Sequence, residues 1–289
     1  MAKLVVRRYR TKLFLKLADH TYVECGTGAK GWGCWGGKTG GNFLRDASGS
    51  TLRADAIAGP KERAGITRYL INGVCHQAAN RTLFPAGITV DGALGYTLSV
   101  SLFGMYGRPN GFDNRADVSG DLPECEGSPE SIEQPVSFNA GRLDFNDPGY
   151  MQAINALYLR ATLEEAISPQ TVRDFQMAQF QLLVDHKLGN DERITASKRD
   201  ALLTARERFE VLRLEAEDEF GRTGDASAFI AAFDQLTLKF QDDAAASLDP
   251  SDYQAMFNLS PDERYLLADP NIVAAAYGAL PDGSPDTGG

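Results

Sequence analysis

The chain predicts an α+β protein: a small antiparallel sheet packed on a cysteine-bearing helix, followed by an all-α helical region. Three observations predict this class. Ahead of residue 148 lie 21 of the 29 glycines, both tryptophans and the alternating apolar segments. From Tyr150 a helical periodicity runs almost to residue 280. Residues 107–148, rich in Pro, Gly, Asp and Asn, read as a long loop between the two. The expected division is a 1–148 α+β domain ending in that loop, a 149–280 helical bundle, and a disordered tail over 281–289. With 289 residues and 43% hydrophobic content, a sizeable core needs no staples.

The elements follow in order. Lys3, Arg7, Arg8, Arg10, Lys12 and Lys16 make the first stretch basic, as in a solvated, charged edge strand; the sharper alternative is contact with an acidic partner or membrane surface. Leu13, Leu15 and Leu17 alternate and suggest a strand, and Thr21 to Cys25 is a run of β-formers. Gly26 to Gly41 is a glycine-rich excursion. Ile66 to Ile71 begins a short element leading to Cys75, where a helix starts; Ile88 to Val90 and Tyr96 to Phe103 read as further strands. Helices are expected over 150–167, 169–188, 194–221, 225–246, 250–257 and 270–279. Ser168-Pro169 is a start signal and Gly189-Asn190 a stop. Leu202, Phe209, Leu212, Ala216 and Phe220 form one apolar stripe, suited to bundle core or to a partner groove.

Composition removes several function classes. A net charge of −10 argues against nucleic acid as a partner, because phosphate binding needs a basic surface. No apolar run is long enough to span a bilayer, and charges throughout Met1 to Leu17 leave no signal-peptide core. The expected compartment is the cytoplasm, or export without a signal peptide. Cys25, Cys34, Cys75 and Cys125 are too few and too scattered for a disulfide framework. With three histidines and no Cys-x-x-Cys pair, no metal and no other cofactor is expected.

Cys75 carries the chemical interest. The turn-like Asn72-Gly73 precedes it and good helix formers follow, so its sulfur falls in a first helical turn. The positive end of a helix dipole favours thiolate, the reactive form. A thiol nucleophile needs a base. His76 is adjacent and points about 100° away; His186 lies in the helical half. By elimination His20, opening the Thr21 strand, is the best base. Inert burial of a small apolar thiol is the structural alternative for Cys75.

Asp19-His20-Thr21-Tyr22-Val23, then a glycine-rich stretch, then Val74-Cys75-His76-Gln77-Ala78-Ala79-Asn80 on a helix, resembles a circularly permuted papain-like fold. In that group the histidine strand precedes the cysteine helix. Members include PPPDE-type isopeptidases, lecithin:retinol acyltransferase-like proteins and permuted relatives of NlpC-type cell-wall peptidases. The match lies in the order of the parts, in His20-Thr21 and in the small residues after the cysteine, over roughly the first 100 residues. Val74 stands where Asn is usual, and Gln77-Ala78 where an aromatic is common, which leaves subfamily and substrate open. The resemblance implies that Cys75 attacks an amide or ester, that His20 takes and returns the proton, and that the Cys75 N–H helps to hold the oxyanion. Asp19, Asp46, Gln77 and Asn80 are candidates for the third polar group. Asn80 is about 140° around the helix from Cys75 and suits an internal bond; Gln77 is nearer and is a possible second donor.

Other signals are weaker. Gly31 to Thr39 fails the phosphate-loop spacing by one residue. Cys34-Trp35 echoes papain itself, with His186 as base, but Gly36-Gly37 follows where a helix should. The acids Glu210, Glu215, Glu217, Asp218 and Glu219 read as a solvated helix face. The expected function is a thiol-dependent peptidase or amidase acting on a peptide, isopeptide or other amide, with the helical part positioning the substrate or binding a protein partner. The alternatives are a non-catalytic scaffold with a degenerate papain-like fold, and an acyltransferase or transglutaminase-like enzyme.

Overall fold

The computed structural model describes residues 2–9, 18–25, 31–32, 41–52, 54, 69–108, 145–162, 168–189 and 194–277. The sheet has three full strands, β1 (Ala2–Tyr9), β2 (His20–Cys25) and β4 (Asn42–Gly49), and a two-residue β3 (Gly31–Trp32). All pairings are antiparallel and the order is β3-β2-β1-β4. The basic strand β1 is therefore central, not the expected edge. Its leucine and valine at positions 4 and 6 are fully buried. Its cations are matched by acids on both sides: Lys3 with Asp46 on β4 (3.0 Å), Arg7 with Glu24 on β2 (3.0 Å), and Arg8 with Asp19 just before β2 (3.2 Å). Basic residues that find partners across the sheet need no open edge.

Helix α1 (Cys75–Leu83) packs on β2 and is buried along its whole length. The turn before it needs Gly73, which has φ +110; a Cβ there would lie 2.5 Å from Gln77 Cβ. Leu70, at φ 64, is in the left-handed region without being glycine.

Tyr96–Phe103 is a helix, α2, and corrects the expected strand. Its alternation of Leu and Val with Ser suggested two faces, yet every residue of it is buried, so there is no solvent side for the alternation to mark. Ser99 and Ser101 return their hydroxyls to the carbonyls of Tyr96 and Thr97. Gly95 and Gly104, both at φ 75, bracket it. Ile88 to Val90 is irregular, not a strand. The N–H groups of Thr89 and Val90 bond to the side-chain carbonyls of Asn146 (2.7 Å) and Asn80 (2.9 Å), which replace a partner strand.

The remaining helices are α3 (Pro148–Thr162), α4 (Pro169–Leu188), α5 (Ala196–Thr223), α6 (Ala226–Ser247), α7 (Pro250–Phe257) and α8 (Pro270–Tyr277), close to the expected spans. Ser168 caps α4 by accepting from Thr171 N, with Pro169 at the first position. The Leu13–Leu17 strand, most of the 107–148 loop, most of the Gly26–Gly41 excursion and the 281–289 tail lie outside the described residues.

One apolar cluster runs from Leu4 of β1 to Val273 of α8, across residue 148. Helix α5 supplies a second tie. The expected stripe holds for Leu202 and Phe209, but Leu212 is exposed and the buried face carries Arg206, Glu210 and Arg213 instead. Arg206 donates to the carbonyls of Ser101 (2.8 Å) and Leu102 (2.9 Å) and pairs with Glu210 (2.9 Å). Arg213 joins Glu210 to Glu217, and Arg108 pairs with Glu217. Glu210 and Glu217 are thus rungs of a buried ladder rather than members of a solvated face. Glu215, Asp218 and Glu219 are exposed as expected.

Candidate functional site

Helix α1 starts at Cys75 because Gly73 turns the chain and Gln77 reaches back, its Oε1 accepting from Val74 N at 3.1 Å. This is half of a capping box. Val74 has no side-chain acceptor to supply the other half, so the N-cap side chain takes none of the first-turn N–H groups of α1. The sulfur of Cys75 therefore sits at the positive end of the helix, and it faces the start of β2, where its thiol donates to the Asp19 carbonyl at 3.5 Å.

His20 opens β2, with Tyr9 of β1 as its register partner. His20 and Cys75 border the same small cavity, of about 10 Å³, together with Ala18, Asp19, Val74 and four residues the sequence did not nominate: Tyr69, Leu267, Asp269 and Ile272. That volume is room for about one water. Cys75 is 5% exposed and His20 7% exposed.

The C-terminal wall is pinned by one hydroxyl. Tyr69 OH donates to Leu267 O (2.8 Å) and accepts from Asp269 N (3.0 Å), while Tyr277 OH donates to Tyr69 O (2.5 Å). Ala18 N reaches Leu266 O at 3.3 Å. The sequence placed only a helix over 270–279 here; nothing in it said that the start of that helix returns to Cys75.

The other nominated residues have different duties. Asp19 Oδ2 accepts from Arg8 and from Leu94 N (3.0 Å), so its carboxylate ties β2 to the turn before α2. Gln77 Nε2 donates to Gly104 O (3.0 Å) and Ser99 Oγ (3.3 Å), which consumes its amide inside the fold. Asn80 holds Tyr96 OH, Met105 O and Val90 N, an internal role as expected. Asp46 sits on β4 with Lys3. His76 is fully buried, with Nδ1 2.8 Å from Ser99 Oγ. Burial lowers its pKa, against the opposing influence of Cys75 and Asp19. His186 stacks on Tyr150 (centroids 4.7 Å apart), an interhelix position; burial takes it down to about 4. Cys34, its partner in the papain-order reading, lies outside the described residues.

Among the described residues no group of three or more His, Cys, Asp or Glu is placed to hold a metal ion, and no helix is long and apolar enough to cross a membrane. No protein-family model, no curated protein and no solved structure matches this chain.

Proposed function

We propose that this chain is a thiol-dependent hydrolase that cleaves an amide bond in a peptide or isopeptide, with Cys75 as nucleophile and His20 as general base and acid. The supporting observation is that a sulfur at a helix N-terminus and an imidazole at a strand start border one cavity. His20 takes the thiol proton and the sulfur attacks the carbonyl carbon, forming a C–S bond while the carbonyl electron pair moves onto oxygen. The first-turn N–H groups of α1, at the positive end of the helix, are suited to that oxyanion. Collapse breaks the C–N bond, and the leaving amine takes the proton from His20. Water, deprotonated by His20, then attacks the thioester, releasing the acid and restoring the thiol. The cavity holds about one water, so an acyl group reaches Cys75 only when the walls part.

The 5% exposure of Cys75 is the observation that favours a non-catalytic binding protein instead. Iodoacetamide labelling at pH 6, read cysteine by cysteine, separates the readings. The hydrolase predicts that Cys75 reacts first and that His20→Ala slows it about tenfold or more. Equally slow labelling of all four cysteines, indifferent to His20, rules for the binding protein. An acyltransferase is distinguished by a requirement for an added acceptor amine.

A further inference from the structure

We infer that the strap joining α7 to α8, residues 258–269, is the wall that opens to admit substrate to Cys75, with Gln241 and Tyr69 as its latches. This deepens the thiol-hydrolase reading above and rests on it. That reaction needs an opening, because Cys75 is 5% exposed and the cavity beside it holds about one water. The cavity walls are the lead into β2, the turn into α1, and the strap with the start of α8, which supplies Leu267, Asp269 and Ile272. The first two are anchored. β2 is paired with β1 from His20 to Cys25. α1 is buried along its length, and Gln77, Asn80 and Arg81 bond it to the successive carbonyls of Gly104, Met105 and Tyr106. Moving either wall dismantles the core of the α+β half.

The strap is built differently. It runs as irregular chain from Asn258, at φ 55, to Pro270, with a single bridge at Leu266, whose carbonyl takes Ala18 N at 3.3 Å. Over residues 265–269 two side chains hold its backbone. Gln241 of α6 donates to Tyr265 O (2.8 Å) and accepts from Tyr265 N (3.0 Å). Tyr69 OH donates to Leu267 O (2.8 Å) and accepts from Asp269 N (3.0 Å). A segment tied by a few side-chain bonds opens more readily than a helix or a sheet. Opening breaks these ties and lifts Leu267 off the cavity, while the sheet, α1 and the ladder on α5 stay folded. Gln241 lies on α6, outside the cavity lining. Its loss therefore reaches the thiol through the strap, which makes it the residue to change.

The test is the rate of Cys75 alkylation by iodoacetamide in the full chain at fixed pH, measured against urea below the unfolding transition. Hydrogen exchange of residues 265–269, read by mass spectrometry, accompanies it. A strap that opens by itself exposes little surface, so the wild-type rate is expected to rise less than about twofold per molar urea; unfolding of the whole chain raises it about tenfold or more. Gln241→Met removes both bonds to Tyr265. It is expected to speed alkylation about tenfold and to speed exchange of residues 265–269 by the same factor, while the amides of α1 exchange as in wild type. A merely structural Gln241 lowers the urea midpoint and leaves alkylation and strap exchange in water unmoved, which overturns the inference. So does a wild-type rate as steep in urea as global unfolding, a result that decides the matter even where Gln241→Met fails to fold. Labelling at pH 6 that is indifferent to His20→Ala removes the hydrolase reading, and with it the strap's part in substrate entry. His20-dependent labelling with the steep urea dependence removes the inference alone.

Discussion

The ladder on α5 and the cavity at Cys75 both gather titratable side chains out of water, and they do it in opposite ways. Along the ladder, Arg108, Glu217, Arg213, Glu210 and Arg206 alternate in sign, and Arg206 ends on the carbonyls of α2. Burial pushes Glu210 up, but Arg213 and Arg206 outweigh it and hold its carboxyl below the usual range. At Cys75 the chain brings a thiol, an imidazole and an aspartate to the edge of a gap walled by Val74, Leu267 and Ile272. Buried charges paired in series are a staple. Ionisable groups around a gap, with a helix terminus aimed at it, are where a reaction is to be sought.

Substitutions break or sharpen this contrast. Glu210→Ala leaves two buried guanidiniums facing each other, and urea unfolding is expected to register a loss of about 3–5 kcal/mol. Asn80→Ala strips partners from Tyr96 OH, Met105 O and Val90 N, and the same assay is expected to show about 2–3 kcal/mol. Gly73→Ala forces a side chain into a positive-φ turn against Gln77, for about 1–3 kcal/mol. On the proposed hydrolase reading, Cys75→Ser is expected to abolish turnover while changing stability by about 1 kcal/mol or less, because it replaces one small side chain beside a cavity; a loss as large as that of Glu210→Ala would make the site another staple. A further effect concerns pH. The folded pKa of His186 is lowered to about 4, so the unfolded chain binds the proton first as pH falls below 6.5. Stability is therefore full above 6.5 and declines toward pH 4, and the melting temperature of His186→Phe is expected to decline less over that window. His76, lowered by burial as well, adds to the same trend.

The helical half was legible because its signals are local. Ser168-Pro169 opens α4 and Gly189 closes it on local geometry alone, and long periodic runs fixed the type of each element. The α+β half misled wherever an element is buried on every side. Tyr96 to Phe103 has no exposed face to give it a period, and β1 is basic yet central because its acids lie on the neighbouring strands. At the site, His20 and Cys75 were legible as residue types at an element start. Tyr69, Leu267, Asp269 and Ile272 were not, since the approach of α8 to α1 is a product of packing across the whole core and leaves no trace in spacing. The same blindness made Glu210 look solvated, because its two arginines read as ordinary surface charges until α5 is laid against α2.

The hydroxyl of Tyr69 bridges to a carbonyl 198 positions further along the chain. During synthesis the ribosome therefore releases the sulfur-bearing helix long before the segment that walls it exists. Until Leu267 and Ile272 emerge, a nascent chain has no means of closing the pocket over Cys75. Any cut between these points that lets the pieces separate leaves the thiol unshielded.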